Sequence, residues 1–205
     1  MLEAFTLKQF AEKTAQPNAA PGGGSVSALA GALAAALVAM VARLTLKNEK
    51  FSAVAPQMEK LHKRADALQS QLLAAVDRDS ESYQAVLAAL RMPKGNDTEI
   101  KARSAAIQEA FKLACQVPMQ IAELALQVLE LAVQTARSGN PAMITDAGVS
   151  ALMARSAALG ALMNMRINLA SVKDESLVDK MDQIIKQTKQ KVIKKELEIF
   201  DIFSI

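Results

Sequence analysis

The stretch APGGGSVSALAGALAAALVAM, residues 20–40, decides how this chain folds. A proline and three glycines lead into a segment, Val26 to Ala42, that has no charged side chain and consists mainly of alanine, leucine and valine. Three interpretations compete for it: a phosphate-binding loop at a helix start, a transmembrane span, and a helix packed so closely that only small side chains fit. The rest of the chain separates them.

The glycines do not form a nucleotide-binding P-loop, because no Lys-Ser or Lys-Thr pair completes the motif and no strand pattern precedes it. As a membrane span the segment is at the short limit, and no aromatic or charged belt flanks it. We therefore expect a buried helix entered through Pro21, with Ser25 as its N-cap. Gly31, Ala34 and Ala35 predict close contact with neighbouring helices.

Composition predicts an all-α protein with a single domain over residues 1–205. Hydrophobic residues make up 51% of the 205, enough for a real core, while aromatics are only 3%. Helical periodicity covers residues near 5–15, 25–46, 56–91, 98–137, 145–170 and 175–199, with Pro and Gly clusters between the segments, the first of them over Pro17–Gly24. Because the connections are short, we expect an antiparallel bundle of about five to six helices.

Charge and residue counts remove several classes of function. A net charge of +3 gives no support for nucleic-acid binding. Cys115 and His62 are the only residues of their types, which excludes a Cys/His zinc site and a disulfide framework. Cys115 fits a core position, and the N-terminus lacks the pattern of a signal peptide. We expect no metal, no membrane association and a reducing, cytoplasmic location.

One carboxylate breaks the pattern of the helix predicted over residues 56–91. Helical steps along its apolar stripe pass through Leu72 and Val76 and then reach Asp79 and Tyr83. A carboxylate on such a face is costly unless it is paired or hydrogen-bonded. Asp79 is therefore either held by a neighbouring helix or placed for catalysis, with Tyr83 one turn away as a possible partner.

Other polar residues lie near apolar faces. Arg103 is either a counter-charge or anion ligand, or an exposed first-turn residue. Thr145 and Asp146 are typical of a helix start, with Thr145 as the N-cap. Asn164 and Asn168 are four residues apart and point the same way, so their amides need partners from a ligand, water or another chain.

Several blocks together resemble the cyclodeaminase/cyclohydrolase family. They are PNAAPGGGSVSALAGALAAALVAMVARLT, DRDSESYQAV with Asp79 and Tyr83, MPKG, the R-x-x-A-x-x-x-A pattern from Arg103, SGNPAMITDAG around Asp146, and NMRINL with both asparagines. The blocks cover essentially the whole chain in the family's order. Thr145 stands where the family usually has serine, and Met165 where it commonly has valine.

The resemblance implies an all-helical homodimer that acts on a folate without a metal or any cofactor beyond that substrate. Two chemistries occur in the family. One hydrolyses 5,10-methenyltetrahydrofolate to 10-formyltetrahydrofolate, and the other closes 5-formiminotetrahydrofolate to the methenyl compound with loss of ammonia. A stand-alone chain favours the hydrolase; the alternatives are the cyclodeaminase and a non-catalytic helical binding module.

The resemblance also implies roles for the unusual residues. Asp79 and Asp146 are the expected catalytic carboxylates, since a carboxylate can stabilise the cationic methenyl group and move a proton. The expected substrate-binding residues are Gly22, Gly23, Gly24, Ser25, Lys47, Tyr83, Arg103, Asn164 and Asn168. Among these, the asparagines suit the pterin edge, and Lys47 or Arg103 suits the glutamate tail.

Overall fold

The computed structural model describes residues 1–18 and 20–204; Ala19, in the predicted loop Pro17–Gly24, lies outside the described residues. The α-helices are α1 (Leu7–Thr14), α2 (Gly23–Leu46), α3 (Ala55–Leu90), α4 (Asp97–Ser138), α5 (Ile144–Leu169) and α6 (Glu175–Phe203). Short 3₁₀ turns occupy Leu2–Ala4, Glu49–Val54 and Pro141–Met143. The all-α prediction is confirmed, with helix bounds a few residues from those predicted.

The long helices alternate in direction. Ser25 contacts Asp79 while Arg43 contacts Asp66, so α2 and α3 are antiparallel. Helices α5 and α6 are antiparallel too, because Arg166 pairs with Asp182 and Arg155 with Glu196. The short connections cause this arrangement, because a short loop cannot run back along the length of the helix that precedes it.

Helix α2 packs against α3, α4 and α5. Its buried face consists mostly of alanines and Gly31, where an added Cβ would lie 3.2 Å from Leu72 and 3.5 Å from Ala157. In the described part of the chain, α2 is the one helix long and apolar enough to cross a membrane, and 61% of its most apolar window is buried in the bundle. The tightly packed interpretation of the opening stretch is therefore confirmed.

Two predicted helix starts are wrong. Helix α2 begins at Gly23 with Gly22 at the N-cap, so Ser25 lies inside the first turn and its hydroxyl is directed at α3. Helix α5 begins at Ile144 with Met143 at the N-cap, and Thr145 is an exposed residue within the helix. The side chain that accepts a backbone N–H in this connection is Asn140, which bonds Ala142 in the preceding 3₁₀ turn.

Helix α6 is longer than predicted, because its end is packed rather than frayed. Phe203 covers Gly148, where an added Cβ would lie 2.6 Å from the ring. We call this part of the bundle, where α2 ends and α5 begins, the far end. We call the opposite part, where α2 begins and α5 ends, the cavity end.

Candidate functional site

The cavity end contains an open cavity of about 330 Å³. Four helices line it: the start of α2, the second half of α3, the first half of α4 and the end of α5. The lining residues are Gly22, Gly23, Gly24, Asp79, Ser82, Tyr83, Val86, Leu87, Leu90, Phe111, Ala114, Asn164, Ile167 and Asn168. An apolar wall with a few polar groups suits a planar organic ligand with a polar edge.

Asp79 is the carboxylate of this cavity, and α2 holds it directly. The Ser25 hydroxyl lies 2.9 Å from Asp79 Oδ2 and 3.0 Å from the carbonyl oxygen of Val76. A Cβ on Gly24 would lie 2.0 Å from Asp79 Oδ1, so this residue must be glycine for the carboxyl group to occupy its place. The glycines therefore make room for an acid.

Burial raises the pKa of the Asp79 carboxyl above its ordinary value, and the Ser25 hydroxyl and backbone N–H partly offset this by favouring the charged form. Ser25 has one hydroxyl hydrogen and two acceptors in reach. It can donate to the ionised carboxylate, or donate to Val76 and accept from the protonated acid. Both protonation states of Asp79 are thus accommodated, as acid–base catalysis requires.

Both predicted asparagines line the cavity, and each is fixed by a backbone carbonyl. Asn164 Nδ2 donates to the carbonyl of Gly160 at 2.9 Å, on its own helix. Asn168 Nδ2 donates to the carbonyl of Ala114 on α4 at 2.7 Å. Their amide nitrogens therefore face the protein, and each amide keeps an oxygen acceptor and a second N–H.

Tyr83 also lines the cavity, one turn beyond Asp79, and its side chain is 37% exposed. The hydrogen bonds found among residues 1–18 and 20–204 do not join Tyr83 to Asp79; the partner of the Asp79 carboxyl group is the Ser25 hydroxyl. The predicted partnership is replaced by one with α2, because the glycine turn brings that helix start closer.

Three predicted residues lie away from this group. Asp146 is in the first turn of α5 and Lys47 is the C-cap of α2, so both are at the far end. Asp146 is 18 residues from Asn164 along α5 and Lys47 is 23 residues from Gly24 along α2, roughly 30 Å in each case. Arg103 is near the rim, where its guanidinium donates to the carbonyl of Leu90 at 3.0 and 3.3 Å and closes the end of α3.

Sequence reasoning missed the apolar wall and Ser82, whose hydroxyl donates to the Asp79 carbonyl. Phe111 looked like any residue of a core stripe. Ile167 lies beside Asn168 and is 72% exposed, as is Met163 on the same helix, but this exposure is visible only in the structure. Over residues 1–18 and 20–204, no group of three His, Cys, Asp or Glu side chains is placed to hold a metal.

A comparison with protein families agrees with this geometry. The model of the formiminotransferase-cyclodeaminase family matches residues 6–187. The chain belongs to this family. The match includes α2, Asp79 and both cavity asparagines, so the whole lining of the cavity is family sequence.

Curated members of the family have more than one activity in their names. A methenyltetrahydrofolate cyclohydrolase of Methylorubrum extorquens is 34% identical over 174 residues, covering 85% of this chain and 84% of that one. A formimidoyltransferase-cyclodeaminase of Rattus norvegicus is 32% identical and also covers 85% of this chain, which spans only 32% of that longer protein.

A solved structure supports the fold. The formiminotetrahydrofolate cyclodeaminase of Thermotoga maritima superposes with a TM-score of 0.89 over 100% of this chain and 98% of its own. Identity is 24%, so this likeness concerns the architecture alone. The bundle is thus the family fold, and the fold by itself does not decide between the activities that the relatives' names print.

Proposed function

We propose that this protein is a methenyltetrahydrofolate cyclohydrolase that converts 5,10-methenyltetrahydrofolate to 10-formyltetrahydrofolate. The observation that carries the proposal is a carboxyl group, Asp79, whose pKa is raised by burial and which lines a cavity with an apolar wall. The Methylorubrum relative, 34% identical over 174 residues, supports it. The folate is the substrate, and we propose no further cofactor.

The reaction assigns two tasks to Asp79. Its carboxylate accepts a proton from the water that adds to the cationic methenyl carbon, and its negative charge offsets the cation. The tetrahedral carbon then loses its bond to N5 as Asp79 returns the proton to that nitrogen, and its hydroxyl group releases its own proton to solvent as the C=O bond of the formyl group forms. The formyl group stays on N10. The Ser25 hydroxyl donates to Asp79 when this carboxyl group is ionised and to the Val76 carbonyl when it is protonated.

The remaining lining residues hold the substrate. Asn164 and Asn168 offer amide groups to the pterin edge, while Tyr83 and Phe111 provide flat surface for its rings. The glycine turn brings backbone close to the ligand without side chains in between. For the glutamate tail we propose Arg103 at the rim, with its remaining N–H groups.

The test is an absorbance assay with methenyltetrahydrofolate, corrected for nonenzymatic hydrolysis. We expect enzyme-dependent loss of the near-ultraviolet band, abolished in Asp79→Asn. Asp77→Asn is the matched control, since Asp77 accepts backbone N–H groups of the N-terminal segment and lies outside the cavity lining. Loss of the band at the uncatalysed rate with wild-type protein would overturn the proposal.

The second candidate is the formiminotetrahydrofolate cyclodeaminase, favoured by the 32% identity to the rat protein. It uses the same carboxyl group to protonate departing ammonia. Appearance of the methenyl band from 5-formiminotetrahydrofolate, with ammonia release, would select it. A protein that binds folate with neither activity would be the third alternative, a binding module.

We further propose a cytoplasmic homodimer that associates with neither nucleic acid nor membrane. Val26, Leu33 and Met40 are exposed apolar residues at intervals of one heptad, so they share one face of α2. On the neighbouring α5, Val149 and Leu152 are exposed as well. A second copy of the chain fits such a surface better than water does.

A twofold axis across α2 near Leu33, perpendicular to the helix, places two α2 helices antiparallel. The far end of one chain then lies beside the cavity end of the other. In this arrangement Lys47 and Asp146 approach the cavity of the second chain, where they can take up the substrate-binding and catalytic roles that the resemblance implies. Light scattering of Leu33→Glu tests this: we expect a monomer with reduced turnover, and an unchanged dimer contradicts it.

A further inference from the structure

Helix α4 carries a proline in its interior. Pro118 is buried, and the helix continues through it from Asp97 to Ser138. Proline has no N–H, so it gives no helical hydrogen bond to the carbonyl of Ala114, four residues earlier. Ala114 is only 3% exposed, and a buried carbonyl needs another donor.

Asn168 supplies that donor from the next helix. Its Nδ2 lies 2.7 Å from the Ala114 carbonyl oxygen, and both residues line the cavity. A side-chain amide whose nitrogen is bound in this way cannot rotate to exchange its nitrogen and oxygen positions. The Asn168 Oδ1 atom therefore becomes an acceptor with a fixed position. Asn164 is a natural contrast, because its Nδ2 binds the Gly160 carbonyl within α5 and needs no proline.

We propose that Pro118 is a positioning residue for ligand recognition. It leaves the Ala114 carbonyl free, this carbonyl holds the Asn168 amide, and Asn168 offers Oδ1 to an N–H group on the edge of the ligand. The ligand class is a planar heterocycle with N–H donors, such as the pterin of the substrate. That last step rests on the proposed function, whereas the hold of Pro118 on Asn168 does not.

The first experiment needs no ligand. In ¹⁵N spectra, the Asn168 side-chain NH₂ signals are assigned by their loss in Asn168→Ala. In Pro118→Ala the new N–H of residue 118 competes for the Ala114 carbonyl. We expect the Asn168 signals to shift and their hydrogen exchange to accelerate by roughly 3- to 10-fold, about the strength of one hydrogen bond. The Asn164 signals stay in place.

Pro56→Ala is the matched control, because Pro56 lies in the first turn of α3 and outside the cavity lining. It should leave the Asn168 signals unchanged. Unchanged Asn168 signals in a folded Pro118→Ala protein would overturn the proposal.

The second experiment measures binding of 5-formyltetrahydrofolate by calorimetry. Pro118→Ala and Asn168→Ala should each weaken binding by about 3- to 10-fold. The double variant should be no weaker than Asn168→Ala alone, since Pro118 acts through Asn168. Independent losses that multiply would contradict the coupling.

Asn168→Asp keeps the proline and covers the case in which Pro118→Ala does not fold. A carboxylate cannot donate to the Ala114 carbonyl, so binding should fall at least as far as in Asn168→Ala, and wild-type affinity would overturn the proposal. If wild-type protein binds no folate, the proposed function fails, and the ligand-free spectra still decide the role of Pro118.

Discussion

The two ends of the α2–α5 helix pair are built from similar residues but do different work. At each end a buried hydroxyl of α2 joins another element: Ser25 bonds Val76 and Asp79, and Thr45 accepts the backbone N–H of Asn140 at 2.9 Å. Each end also has a glycine under a side chain, Gly24 under Asp79 and Gly148 under Phe203.

The difference lies in what the small residues make room for. At the far end Gly148 admits an aromatic ring, and the cavity of about 210 Å³ beside it is lined by mainly apolar residues and no carboxylate. At the cavity end Gly24 admits a carboxyl group, and this group lines the cavity of the candidate site. Close packing is therefore common to both ends, and they differ in the polarity of the side chain that the glycine admits.

The largest expected effect comes from removing the acid at the cavity end. Asp79→Asn keeps the shape of the side chain but cannot accept the proton, so kcat should fall by about 10²- to 10⁴-fold. The absorbance assay measures this, with circular dichroism to verify the fold. Activity within a factor of two of wild type would remove Asp79 from the mechanism.

Gly24→Ala and Gly148→Ala compare the two ends directly. An alanine at 24 displaces the Asp79 carboxyl group, so we expect kcat to fall by at least ~10-fold, with ~1–3 kcal/mol of stability lost to overpacking. An alanine at 148 should cost similar stability but lower kcat/KM far less, because Gly148 packs against Phe203 and not against Asp79. Equal kinetic losses in both variants would show that the comparison is wrong.

Ser25→Ala and Thr45→Val each remove the buried α2 hydroxyl at one end of the bundle, and we expect smaller effects from them than from the glycine variants. Loss of the Ser25 hydroxyl removes a bond that favours ionised Asp79, so the pKa of Asp79 should rise further and the acidic limb of the kcat profile should move to higher pH. Thr45→Val should cost about 1 kcal/mol of stability and leave the pH profile in place. A pH profile that moves in the Thr45 variant would contradict the distinction.

The smallest effect concerns stability against pH. Because the pKa of Asp79 is raised in the folded state, the folded protein holds this proton more tightly than the unfolded chain does. Its contribution to stability is then present at low pH and is lost as pH rises from the unfolded to the folded pKa. Asp79→Asn cannot ionise, so its stability should not show this decrease as pH rises.

Thermal unfolding of Asp79→Asn and wild type at about pH 4 and pH 7.5 tests this. We expect the variant to gain on the order of 2 °C relative to wild type at the higher pH. A constant difference in Tm between the two pH values would mean that Asp79 ionises in the folded protein as it does in the unfolded chain.

The sequence by itself determined the helices, because their apolar periodicity and the Pro and Gly residues between them are local signals. It also identified Asp79, Asn164 and Asn168, since a polar side chain on an apolar face is visible as a break in a pattern. The small residues of α2 predicted close packing, because the volume of a side chain is known from the residue type alone.

Only the tertiary structure decided which of these residues meet. Ser25 looked like a helix cap and instead holds Asp79, because the start of α2 crosses α3 at that point. Asp146 and Lys47 shared helices with the site but lie at the far end. Pro118 and Asn168 are fifty residues apart in the chain. They are related through the Ala114 carbonyl, which Pro118 leaves without a helical donor and which accepts the Asn168 amide. Periodicity fixes the face of a helix on which a residue lies, whereas the height at which two helices cross depends on how their side chains pack.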